Sequence, residues 1–136
     1  MTGIPKTWQE KAEEVIRKLS GTYPDAALKE LQEAQDVLDA GKALPKDKRG
    51  EEYQTTLFRL IHNLKGQGGT FGYPLITEIG NHLCRYIEQQ ESFEDKQNTC
   101  IQKHLTILKT IIENRLTGDG GSKGRALKDT LGMSHD

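Results

Sequence analysis

The chain lacks most of the features that would place it quickly in a functional class. Its only cysteines are Cys84 and Cys100, with no CxxC spacing, so neither a disulfide framework nor a cysteine-based zinc site is indicated. Both read as reduced residues carried on helices. No apolar run approaches the roughly 20 residues of a membrane-spanning helix. The opening stretch "MTGIPKTWQEKAEEV" has no apolar core of the signal-peptide kind, so a cytoplasmic protein without membrane contact is expected. Charge of one sign is missing too: 19 Lys and Arg stand against 20 Asp and Glu, a formal net charge of -1. The two signs are mixed along the length rather than gathered in a basic stripe, which argues against nucleic acid as a partner. Strand-like alternation is nearly absent.

What the sequence has instead is apolar residues at three- and four-residue steps, the mark of amphipathic helices. The spacing predicts a short helix from Thr7 to Leu19 with Trp8, Ala12, Val15, Ile16 and Leu19 on one side, broken by "SGTYPD" at Gly21 and Pro24. A second helix is expected from Pro24 to Ala40, stopping at Gly41, followed by the solvated loop "GKALPKDKRG". A third begins near Glu51 and carries Tyr53, Leu57, Leu60, Ile61 and Leu64. A fourth runs from Pro74 to Gln90, with proline at its tolerant first turn. A fifth runs from Ser92 to Leu116, with Ser92 as N-cap and Asp95 as its capping-box partner. Beyond Leu116 the glycine-rich segment "TGDGGSKGRALKDTLGMSHD" is expected to be a flexible tail. The expected architecture is all-α: an antiparallel four-helix bundle over residues 22–116, a short capping helix in 1–21 and a tail over 117–136.

One stretch stands out, "LFRLIHNLKGQGGTFGYPL" from Leu57 to Leu75. Four glycines, Gly66, Gly68, Gly69 and Gly72, follow a strongly amphipathic run, although each glycine in a helix interior costs about 0.5–1 kcal/mol relative to alanine. On a helical wheel His62 falls on the order of 150° from the apolar direction set by Leu57, Leu60 and Leu64, so it is expected to face solvent. Phe58, Lys65, Gly66 and Gly69 surround it on the wheel. Gly66 and Gly69 would leave room for another molecule, whereas Gly68 and Gly72 point nearer the core and would let the next helix approach. Phe71 falls on the core side and reads as packing.

An exposed imidazole is largely neutral near pH 7 and can attack phosphorus without a separate base. Lys65, three residues on, can set its ammonium beside the incoming phosphoryl oxygens. These are the residues that carry a family resemblance. "HNLKGQGGTFGY" resembles the HxLKGxxxxxG signature of histidine-containing phosphotransfer (HPt) domains, matching at His62, Leu64, Lys65, Gly66, Phe71 and Gly72. The "GTFG" ending is similar to the amino-terminal phosphotransfer domain of chemotaxis histidine kinases.

The resemblance implies that His62 accepts a phosphoryl group on Nε2 from a receiver-domain aspartate or a sensor histidine kinase and passes it to another receiver. Lys65 then corresponds to the family's charge-stabilising lysine, and Gly66 to the small residue beside it. Phe58, Gly66 and Gly69 are candidates for partner contact. The family often has Gln or Glu on the following helix to hold the imidazole, and Cys84 occupies that place here, leaving Asn81, Cys84, His82 or water as candidates to orient His62.

No cofactor is expected on this chain, and the Mg²⁺ of the reaction belongs to the receiver. The length leaves no room for a nucleotide-binding kinase domain, so the chain reads as a monomeric phosphocarrier rather than an autonomous ATP-dependent kinase. The competing reading is a non-catalytic helical module that binds a response regulator or another signalling protein. A metal site built from His62, His82 and Cys84 lacks the i, i+4 ligand spacing.

Overall fold

Side chains spaced three and four residues apart bury one continuous core, to which Leu38, Leu57, Ile79 and Ile111 each contribute from a different helix without measurable exposure. A computed structural model describes residues 7–133. They form α1 (Trp8–Ala43), a single 3-10 turn (Lys46–Lys48), α2 (Glu51–Gly68), α3 (Pro74–Gln89), α4 (Asp95–Glu113) and α5 (Gly121–Thr130). No strand occurs among the described residues, and the protein is all-helical as expected. Helix α1 packs against α2 and α4, and α3 packs against the same two, closing a ring of four helices compatible with a four-helix bundle. Among the described residues no helix is long and apolar enough to cross a membrane.

The expected break at "SGTYPD" is absent, and with it the separate capping helix: residues 8–43 are one helix of 36 residues. Pro24 lies inside it. Proline in a helix interior removes one hydrogen bond and crowds the preceding turn, and here that preceding turn carries two side-chain hydrogen bonds. The Ser20 hydroxyl donates to the Ile16 carbonyl at 2.7 Å, and the Thr22 hydroxyl donates to the Leu19 carbonyl at 2.9 Å. Tyr23 and Pro24 are buried, and the Tyr23 ring lies 5.3 Å from Phe71 and 5.5 Å from Tyr73. Tertiary burial therefore outweighs the local penalty. At 1.5 Å per residue α1 is about 54 Å long, twice the roughly 27 Å of α2. Its first fifteen residues extend past Tyr23 and leave Trp8, Val15, Ile16 and Leu19 exposed.

Three further boundaries differ from the sequence reading. The loop after α1 is not simply solvated. Arg49 is buried and donates from Nε to the Gly41 carbonyl at 2.6 Å, from Nη2 to those of Lys42 and Leu44, and from Nη1 to that of Phe93. It thus satisfies the open carbonyls at the end of α1. Helix α4 starts at Asp95 with Glu94 as N-cap, and Glu94 and Gln97 form the reciprocal capping box expected of Ser92 and Asp95. The segment read as a flexible tail contains α5, whose Leu127, together with the following Leu131 and Met133, packs against the core. Lys128 meets Glu78 of α3 at 3.0 Å. Its glycines form a turn, with Gly120 at φ +70° and no room for a Cβ beside Leu75. Ser134, His135 and Asp136 lie outside the described residues.

Candidate functional site

On α2 the apolar stripe buries Leu60, Ile61 and Leu64, which turns His62 outward, and its side chain is exposed as the wheel requires. Phe58, one turn earlier and half-buried, lies under the imidazole. The two rings stack with centroids 5.7 Å apart and planes 16° from parallel. Among the described residues no group hydrogen-bonds the His62 ring. Its nitrogens are left to solvent or to a partner.

Lys65 is held by α3. Its Nζ donates to the Asn81 side-chain oxygen at 2.6 Å. The Thr77 hydroxyl donates to the Lys65 carbonyl at 2.8 Å and accepts the Gly69 N–H at 3.0 Å. Between these two contacts sits Gly80, where a Cβ would come within 2.6 Å of the Lys65 Cβ. Thr77, Gly80, Asn81 and Cys84 follow one another at i, i+3, i+4 and i+7, so a single face of α3 grips Lys65 and the chain end of α2. The sequence reading missed Thr77 and Gly80. Their signal was that same spacing of small and polar residues in a helix whose other faces are aliphatic or charged.

The three residues named as candidates to orient His62 do something else. Asn81 is engaged with Lys65, and Cys84 is buried at 4% exposure. Burial pushes the Cys84 thiol up to about 11, with the Lys65 charge opposing the shift and Glu88 adding to it. Neither makes a hydrogen bond to His62. His82 faces α4, where its Nδ1 lies 2.9 Å from Nε2 of the buried His104. His104 Nδ1 lies 2.8 Å from the Cys100 carbonyl. A carbonyl can only accept, so Nδ1 of His104 carries the proton, its Nε2 accepts, and His82 donates from Nδ1. Burial lowers the pKa of both rings, helped by the charges of Arg85 near His82 and Lys103 near His104.

Of the four glycines after His62, Gly68 and Gly66 do what the sequence led us to expect, and Gly72 and Gly69 do not. Gly68 is a packing position, since a Cβ there would come within 3.0 Å of Tyr73, Ile76 and Thr77 atoms. Gly72 meets nothing and instead has φ +89°, a left-handed turn that glycine adopts without strain. Gly66 opens onto free space beside Lys65, in keeping with an accessible face. Gly69 is exposed but lies against Thr77, so it contributes a backbone N–H as well as an absent side chain. Phe71 packs on Tyr23, as expected.

The arrangement brings together an exposed imidazole on an aromatic base and an ammonium fixed one turn further on. It offers a nucleophile and a counter-charge for an anionic group arriving from solvent. Among the described residues no cluster of three or more His, Cys, Asp or Glu side chains is placed to hold a metal ion. Comparison with family models, curated proteins and solved structures found no match to this chain.

Proposed function

We propose that the protein is a histidine phosphotransfer carrier of a two-component phosphorelay, an antiparallel four-helix bundle of the HPt kind acting in the cytoplasm. His62 accepts a phosphoryl group from one receiver-domain aspartate and gives it to another. The observation that carries this reading is the pairing of exposed His62 with a Lys65 whose ammonium is fixed from α3 by Asn81. In the forward step the His62 Nε2 lone pair forms a bond to phosphorus as the bond to the aspartyl oxygen breaks. The aspartate leaves as carboxylate and the Nδ1 proton passes to water. Lys65 offsets the charge on the equatorial oxygens, Phe58 holds the imidazole plane, and the receiver brings its own Mg²⁺. Return of the group is the same step reversed.

That no group among the described residues hydrogen-bonds His62 favours one second reading, a module that binds receivers without taking up phosphate. Incubation with a phosphorylated receiver separates the two. The carrier acquires an acid-labile, base-stable phosphate that is lost in His62→Gln, whereas a pure binding module retains the complex and gains no phosphate.

A further inference from the structure

Helix α1 carries a face that nothing in the described chain covers. Trp8, the only tryptophan, is 85% exposed, Val15 is 53%, Leu19 is 48% and Ile16 is 39%. Trp8, Ala12, Val15 and Leu19 follow a 4-3-4 spacing, the seam of a paired helix. The same face runs into an open depression of about 370 Å³ lined by Leu19, Tyr23 and Ala26 of α1, Gly66 of α2 and Phe71 just beyond it. A large apolar knob and an apolar hollow thus lie on one helix face, eleven residues or roughly 16 Å apart.

We infer that this face pairs with a second copy of the chain, the two α1 extensions lying antiparallel about a two-fold axis. An antiparallel seam sets Ala12 of one copy against Val15 of the other, and Trp8 against Leu19. Trp8 then lands at the mouth of the partner's hollow. Helical side chains tilt toward their own N-terminus, so each indole points past Leu19 toward Ala26 of the opposite copy and fills the depression further. A parallel pairing leaves both indoles away from both hollows. It also drives the second α1 toward the helices that already pack on the first.

The size of the contact decides its strength. Each indole buries about 150–250 Å². With the rest of the seam counted on both copies, the interface is on the order of 1,200 Å², the lower end for specific association. On this inference the pair is a reversible dimer, where the sequence alone led to the expectation of a monomer. Its test does not depend on the phosphotransfer reading, although the hollow shares Gly66 with the face proposed to meet a receiver.

Sedimentation velocity on the full chain tests it, run from about 1 to 500 µM so that mass action moves the equilibrium. The expected mass rises from 15.3 kDa toward twice that value. Emission from Trp8, with no other tryptophan to obscure it, shifts to the blue over the same range. Trp8→Ala changes an exposed residue and is expected to abolish the mass increase. Ala26→Arg, also at an exposed position, fills the hollow and is expected to keep both the mass and the emission at their dilute values. A constant monomer mass with unshifted emission at every concentration overturns the inference and leaves the face to a different partner. Association that survives both substitutions overturns the proposed pairing as well.

Discussion

Lys65 and Asn81 are joined across two helices, the ammonium of one donating to the side-chain oxygen of the other at 2.6 Å. That contact turns a flexible lysine into a fixed charge, on the helix turn that follows His62. Under the proposed phosphotransfer, Asn81 would act only through Lys65. Lys65→Ala is expected to slow phosphotransfer about 100-fold, the usual scale for removing a donor aimed at developing charge. Asn81→Ala should slow it about 10-fold, through misplacement. In a Lys65→Ala background Asn81→Ala should change nothing further, which a double-mutant cycle of transfer rates measures. Asn81→Asp keeps the contact and the fold yet places a negative charge at the site, so it should slow transfer without loss of thermal stability.

Two glycines separate close packing from access. Gly80→Ala puts a methyl group against Lys65 and should destabilise the fold by about 1–3 kcal/mol in urea unfolding, as overpacking does. Gly66→Ala meets open space and should stabilise it by about 0.5–1 kcal/mol. If partners use the clearing at Gly66, the more stable Gly66→Ala protein will also bind a receiver more weakly. Titration calorimetry on the two variants reads that difference.

The His82 and His104 pair gives stability a pH dependence of known sign. Both folded values lie below the ordinary 6.5, because burial disfavours the charged rings, and Tyr86, Cys100, Arg85 and Lys103 face the pair without supplying a negative partner near neutral pH. As pH falls the unfolded chain takes up protons first. The contribution is complete above 6.5 and is lost below it, toward the lower folded values. Melting temperatures measured between pH 8 and 5 should decline more steeply for the native chain than for the His82→Gln, His104→Gln double variant. Parallel profiles would show that the pair is not the cause.

Cys84 should be inert. Its thiol is buried and raised to about 11, so a thiol reagent at pH 8 is expected to leave it unmodified until the protein unfolds. Because Cys84 makes no hydrogen bond to His62, Cys84→Ala should leave transfer within about twofold of the native rate, the small effect expected of a residue outside the reacting group's contacts. A large loss would restore Cys84 as the orienting residue.

Much of the site was legible because α2 obeys its own periodicity. The apolar stripe fixed which way His62 points, and Lys65 follows from its place one turn on. The grip from α3 was harder to see, since Lys65 and Asn81 are sixteen positions apart and no periodicity links different helices. Gly80 carries no signal of its own within "EIGNH", because what it makes room for is the Lys65 side chain of another helix.

In the fold, Gly21 and Pro24 were read as punctuation because their local costs are real. What overrode them was the burial of Tyr23 against Phe71 and Tyr73, contacts nearly fifty residues away in sequence. The glycines after Leu116 misled in the opposite way: their density suggested disorder, but Gly120 makes a turn and lets α5 dock.

The central claim is that His62 carries the phosphoryl group. The direct measurement is to mix the protein with a receiver phosphorylated on its aspartate, map the acquired phosphate by mass spectrometry under basic conditions, and then add an unphosphorylated second receiver. The expected result is a phosphate on His62 alone that moves to the second receiver and is absent throughout in His62→Gln. Phosphate on another residue, or none from any receiver that binds the protein, would contradict it.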